Sequence, residues 1–178
     1  MTDVQQRASA KEFAAYWKNR GDEKQETQRF WIDLLRNVYG VPNPEQSIEF
    51  EVPVKLSHTS FIDGYLADTR VLIEQKGADI DLKKGYKQSD GQMLTPYQQA
   101  RRYAGYLPFN KTPRWIVVCN FQTFRFLYNG IIIKHQKTEP TYTKTSLFLC
   151  EKRRFFMARR EKGVVPIIYF EKERGKSF

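Results

Sequence analysis

The sequence predicts a mixed α/β fold, a sheet flanked by helices, and three observations predict it. Ser60–Leu66 and Val71–Lys76 are short, apolar runs, rich in β-branched residues, with Asp68, Thr69 and Gly77 as turn formers around them. Helix-start signatures stand before and after these runs, at Asp22-Glu23-Lys24-Gln25 and at Thr95-Pro96-Tyr97-Gln98. Trp115–Cys119 is a continuous apolar run of strand length, as expected of a central strand covered on both faces. Strands that alternate with amphipathic helices bury their faces by layering helices on a sheet.

Taken in order, Ser9-Ala10-Lys11-Glu12 reads as a capping box that opens a first helix through about Asn19, with Phe13, Ala14, Tyr16 and Trp17 on its apolar side. Gly21 breaks it. A second helix starts at Asp22, and Phe30, Trp31, Leu34, Leu35 and Val38 recur at helical spacing until Gly40. Pro42 and Pro44 make a turn, and Ile48–Leu56 alternates as the first strand, with Glu49 and Glu51 on a face read as solvated. His58 reads as a turn residue rather than a general base. The segment 77–87 is either a charged surface loop or short helix, or a DNA-facing stretch in which Lys83, Lys84 and Lys87 reach phosphates. Ser89-Asp90-Gly91 is a turn. Thr95 then caps a helix running to about Tyr106, with proline at its first position and Gln99 and Tyr103 on one face. Phe121–Tyr128 alternates as a last strand. Beyond Tyr128, Ile131–Ile133 could close the sheet, Thr138–Thr145 is polar, Lys152–Arg160 is densely basic, and no clean period emerges.

At 178 residues the chain is one domain or one domain with an extension, long enough for a real core. The net charge of +10 favours a polyanionic partner, though membrane-surface binding fits charge alone. Residues 129–178 hold 12 Lys and Arg against 5 Asp and Glu, so +7 of the +10 lies in the tail. The charge is therefore a property of the tail more than of the domain. Cys119 and Cys150 form no disulfide framework and have no metal-ligand spacing. No apolar segment follows Met1 and no run approaches membrane-spanning length, so a soluble, cytoplasmic protein with no membrane partner is expected. A nucleotide-binding ATPase is excluded for want of a glycine-rich Lys-Ser/Thr loop.

Chemistry concentrates in the two short runs. Strand alternation projects Glu74 and Lys76 from one face and Gln75 from the other. Two acids and a lysine at the ends of apolar strands are costly unless paired or bound to a metal. A divalent cation held by Asp63, Glu74 and a backbone carbonyl near Gln75 would compensate them, and hard oxygen ligands suit Mg²⁺, with Mn²⁺ as a substitute. The plainer reading is charged strand ends in solvent.

The pattern Ile62-Asp63…Glu74-Gln75-Lys76 resembles the PD-(D/E)XK nuclease core, with isoleucine in the proline position. Gln99-Ala100-Arg101-Arg102-Tyr103 is similar to the Q-x-x-x-Y element of restriction-type members of that superfamily. Gly21–Trp31, His58–Tyr65, Ile73–Gly77 and Trp115–Phe121 together resemble the amino-terminal cleavage domain of the MmeI-like restriction–modification enzymes, single chains that join a nuclease to an adenine methyltransferase. The resemblance spans roughly residues 8 to 126 and implies a restriction-endonuclease-like domain over 1–128, followed by a basic extension over 129–178. Nothing in that extension resembles the methyltransferase, and a truncated or frameshifted reading frame is one hypothesis for it.

The resemblance further implies a Mg²⁺-dependent, type II restriction-type endonuclease acting on double-stranded DNA. Asp63, Glu74, Lys76 and Gln99 would be catalytic, and Asp63, Glu74, Gln75 and Glu26 would hold metal. Glu26 carries the role of the helical acid that such nucleases bring to the metal; the plainer reading is an early-turn glutamate favoured by the helix dipole. Lys83, Lys84, Arg101, Arg102 and Tyr103 would contact DNA. Lys76, to accept a proton, would need a lowered pKa. Methyltransferase and target-recognition domains of a parent enzyme, and a second copy for double-strand cleavage, are the expected partners. The competing reading is a non-catalytic DNA-binding or scaffold module that keeps the nuclease fold.

Overall fold

The computed structural model describes residues 1–56 and 59–128, and the strand segments 146–150, 153–158 and 167–169. His58 and Ile131–Ile133 lie outside the described residues.

Helix α1 spans Asp3–Tyr16 and α2 spans Glu23–Asp33, continuing into a π-helical turn over Leu34–Val38. The box that opens α1 is Thr2 with Gln5, not Ser9 with Glu12: the Thr2 side chain accepts from the Gln5 N–H and the Gln5 side chain accepts from the Thr2 N–H. Both sequences fit the pattern, and the earlier one adds nearly two turns. Asp22 caps α2 by accepting from the Gln25 N–H at 2.8 Å. The wide π turn keeps Leu34, Leu35 and Val38 all buried as the helix ends. A short helix α3, Pro44–Ser47, leads into the sheet.

Strands β1 (Ile48–Lys55), β2 (Thr59–Leu66) and β3 (Val71–Gln75) form an antiparallel meander. A small hairpin, β4 (Tyr86–Lys87) and β5 (Met93–Leu94), turns at Ser89–Gly91 and precedes helix α4, Pro96–Ala104. The chain then returns as β6 (Trp115–Cys119), parallel to β3, and β7 (Phe124–Tyr128), antiparallel to β6. The main sheet runs β1-β2-β3-β6-β7, mixed, with β3 at its centre. Within segment 77–87, residues 77–85 form turns rather than a helix, and the rest is strand β4. The last strand starts at Phe124 rather than Phe121, because Asn120 Oδ1 accepts from the N–H groups of Gln122 and Thr123 and folds those residues into a tight turn. In the tail, β8 (Ser146–Cys150), β9 (Arg153–Ala158) and β10 (Ile167–Tyr169) form a separate antiparallel sheet in the order β10-β9-β8. Strands therefore occur where the sequence shows no clean period.

The sheet is covered on both faces. On one, Val71, Ile73 and Val117 meet α1 and α2 through Phe13, Trp17, Phe30 and Trp31. On the other, Leu72, Ile116 and Val118 meet α4 through Ala100 and Ala104. Phe30 centres the first layer, with ring centroids 4.9 Å from Phe121, 5.1 Å from Phe13 and 5.1 Å from Trp17. The α1–α2 turn is fastened to the segment after β3. Gly21 has φ +150°, its carbonyl accepts from the Ala78 N–H at 3.1 Å, and a Cβ there would lie 2.4 Å from the Ala78 Cβ.

Phe30→Ala is expected to lower the unfolding free energy by about 3–5 kcal/mol, read from the urea midpoint at unchanged m-value.

Candidate active site

Asp63 lies on β2 and Glu74 on β3, beyond the last paired residues of the two strands, Gly64 and Ile73. There the strands part. The Gln75 N–H, left without a backbone partner on that side, donates to Asp63 Oδ2 at 2.7 Å. A carboxylate thus replaces a rung of the ladder, which fixes the Asp63 side chain. No donor reaches its Oδ1 among the described residues.

Glu74 is 1% exposed, deep in the central strand. Its Oε1 stands 2.7 Å from the Lys76 ammonium. Among the described residues, neither carboxylate oxygen accepts a well-aligned hydrogen bond, and Oε2 has no partner. Contact with an ammonium therefore serves one oxygen electrostatically, while the other is stranded. Burial in a low-dielectric site pushes the Glu74 carboxyl up to about 8, with the Asp63 charge adding to the rise and Lys76 opposing it. Burial likewise lifts Asp63 to about 6, against the pull of Lys76 and the Gln75 N–H.

Lys76 reaches the same pocket from the end of β3, its N–H donating to the Cys119 carbonyl at 2.7 Å. Burial alone would lower its pKa, but Glu74, Asp63 and Glu23 together outweigh burial and raise it. Three acids around it thus hold Lys76 as an ammonium, and acting as a proton acceptor would need a lowered pKa supplied by a nearby metal and partial burial.

The acid of α2 that meets Lys76 is Glu23, while Glu26 turns to the neighbouring loop. Glu23 Oε1 lies 3.5 Å from Lys76 Nζ and its Oε2 accepts from the Gly77 N–H at 2.9 Å. Glu26 instead accepts from the N–H groups of Gly21, at 2.7 Å, and Asp22, at 3.0 Å, and faces Arg20 at 3.6 Å. Those hydrogen bonds hold its pKa below the usual carboxylate range. It closes the turn between the two helices.

Gln75 sends its side chain to the opposite face, as alternation requires. There Oε1 accepts from the Trp31 indole N–H at 2.9 Å, and Nε2 donates to the Lys76 carbonyl at 3.0 Å. Its contribution to the pocket is the N–H that orients Asp63. Gln99 donates to the Tyr103 hydroxyl at 3.1 Å, and no hydrogen bond joins either residue to Asp63, Glu74 or Lys76 among the described residues. Arg102 is paired with Asp90 in the hairpin turn. Lys84 is exposed, while Lys83 and Arg101 line an open cleft beside α4 together with Arg125, which the sequence reading did not single out.

The donor set fits a hard divalent cation. Among the described residues no cluster of three or more His, Cys, Asp or Glu side chains could hold a metal ion. Two carboxylates, one with a stranded buried oxygen, match the habit of Mg²⁺ to take one or two protein carboxylates and keep water or phosphate oxygens elsewhere.

The fold and pocket define an α+β domain with paired acids and a lysine at the parting of two central strands. The family model described as "MmeI, N-terminal domain" matches residues 8–164, and the chain belongs to that family. It is a restriction-enzyme-related domain. The match passes residue 126, where the recognisable motifs end, and takes in most of the tail. Comparison with curated proteins gives no match, and comparison with solved structures gives none either. Among the described residues, no helix is long and apolar enough to cross a membrane.

Two outcomes follow from the electrostatics. The folded state of the metal-free protein holds a proton on Glu74 that the unfolded state has released between pH 4.5 and about 8. Stability from this group is therefore present below pH 4.5 and lost as pH rises through about 8. Thermal melts in chelator should fall from pH 5 to pH 8, and Glu74→Gln should flatten that slope. A Glu74→Gln slope equal to wild type contradicts the burial argument. Separately, Glu26→Gln should lower the melting temperature without altering the Mg²⁺-induced shift in it, whereas Glu23→Gln should change that shift.

Proposed function

We propose that the chain is the cleavage domain of a restriction–modification enzyme, a Mg²⁺-dependent DNA endonuclease with a restriction-endonuclease-like core. The observation that carries this reading is the stranded Glu74 carboxylate beside Asp63 and Lys76. Ionised, a group so buried is costly with one cationic neighbour among the described residues, so it keeps a proton to about pH 8 unless a divalent cation compensates its charge. The element order α-βββ-α-β around these residues, and membership of the MmeI amino-terminal family, support it.

Asp63 and Glu74 would hold the cation, with a carbonyl near Gln75 as a further oxygen ligand. When bound, Mg²⁺ supplies a Lewis acid that neutralises phosphate charge and lowers the pKa of water. Asp63 enters already oriented by the Gln75 N–H, so little rearrangement is needed. Lys76, kept charged by its acidic neighbours, acts as a fixed ammonium that stabilises negative charge growing on the scissile phosphate. That role is electrostatic, and the proton lost by the attacking water would pass to solvent. Glu23 positions Lys76 and ties the start of α2 to Gly77. Double-stranded DNA is the substrate. Target recognition and methyl transfer belong to other domains of a parent enzyme.

The test is nicking of supercoiled plasmid in Mg²⁺ or Mn²⁺, by the chain or by a parent enzyme carrying it. Asp63→Ala, Glu74→Ala and Lys76→Ala should each cut the rate by roughly 10²-fold or more while DNA binding persists. Metal-dependent cleavage unchanged by Glu74→Ala, or DNA binding with no turnover in a complete parent enzyme, leaves a non-catalytic DNA-binding module as the reading.

A further inference from the structure

On the α4 face of the sheet lies an open cleft of about 530 Å³. Its lining is Lys83 from the turns after β3, Thr95, Tyr97, Gln98 and Arg101 from the start and middle of α4, and Arg125 from β7. Three cations share it with no acid among its lining residues. Lys83 and Arg101 are exposed and pair with no acidic side chain among the described residues. Arg125 is half-buried and aimed, its guanidinium donating to the Leu82 carbonyl at 3.1 Å. Uncompensated like charges that converge in a cleft repel one another, and an anion relieves that repulsion. A guanidinium with one hydrogen bond to a carbonyl keeps further N–H groups for such an anion.

The register fixes where this cleft stands. Glu74 pairs with Val118 across β3 and β6, and Val118 pairs with Arg125 across β6 and β7. Directly paired residues share a face, so Arg125 occupies the same row and side of the sheet as Glu74, two strands and about 10 Å away. We propose that Lys83, Arg101 and Arg125 form a phosphate-binding cleft that grips the DNA backbone beside the scissile phosphate held at Asp63 and Glu74. This rests on the nuclease reading for the identity of the polyanion, and it adds Arg125 as a DNA-contacting residue. It also separates Arg101, open to phosphate, from Arg102, already paired with Asp90. Contacts of this kind position a duplex and carry no base sequence.

The experiment measures binding of the full chain to two duplexes of unrelated sequence, in chelator so that nothing is cleaved, across a series of NaCl concentrations. Arg101→Ala and Lys83→Ala, at exposed positions, should each weaken both duplexes alike by about ten-fold. Each should also reduce the slope of log K against log salt by about one. Arg125→Ala should do the same, with Arg125→Lys partly restoring affinity; melting curves of all variants guard against misfolding. Kd and salt slope unchanged in folded Arg101→Ala and Lys83→Ala overturn the proposal. So does a wild-type chain that is stabilised by inorganic phosphate yet binds no DNA, which marks a free-anion site. Cleft-dependent binding by a protein that never cleaves DNA keeps the cleft and discards the nuclease. Glu74-dependent cleavage with neutral cleft variants does the reverse.

Discussion

A buried carboxyl with an oxygen that no described residue donates to, in the central strand of the sheet, is the constraint around which this domain is built. Glu74 lies between Ile73 and Gln75 and pairs with Val118 on the adjoining strand, and among the described residues its one cationic contact is Lys76. A lone ion pair in such a place does not repay the desolvation of its members. The protein tolerates it because the surrounding frame is over-determined: α2 and the aromatic layer press one face of β3, and α4 presses the other. The fold's stability is thus set against the site's instability, which is the usual bargain where charge is kept ready for chemistry.

The same frame aims each group. The parting of β2 and β3 frees one backbone N–H, and Asp63 takes it. The start of α2 meets the end of β3 through Glu23, Gly77 and Lys76, while Gly21 and Ala78 seal the neighbouring turn by direct backbone contact. Asn120 holds the Ile80 carbonyl at 2.8 Å, so the turns after β3 lie against the end of β6 rather than swinging free. These loops are therefore locked to the pocket by contacts onto backbone groups: the Gly21–Ala78 bond is backbone to backbone, and the others need the Glu23 and Asn120 side chains.

How much of this could be read in advance depended on whether local period or tertiary placement decided it. Strand alternation is strict, so Glu74 and Lys76 on one face and Gln75 on the other could be read from spacing alone. β1, β3 and β6, with their unbroken patterns, were legible for the same reason, and so was the Thr95–Gln98 box. Glu23 against Glu26 could not be settled that way. Both stand in the first turn of α2, and tertiary placement decides between them: Glu23 reaches Gly77 and Lys76, and Glu26 closes on Gly21 and Asp22. Arg125 was hidden because a single arginine in an alternating strand gives no signal until the β6–β7 register puts it level with Glu74. The state of Lys76 depended on counting acids from three separate elements, which no linear motif supplies.

The account turns on a cation at the Asp63–Glu74 pair, and diffraction at the manganese edge from a crystal soaked in Mn²⁺ tests it most directly. The expected result is an anomalous peak at about 2.0–2.2 Å from a carboxylate oxygen of each of Asp63 and Glu74, with Lys76 drawn back from Glu74 Oε1. A saturating soak that leaves this pair without a peak, or that places manganese at Glu26 instead, contradicts it.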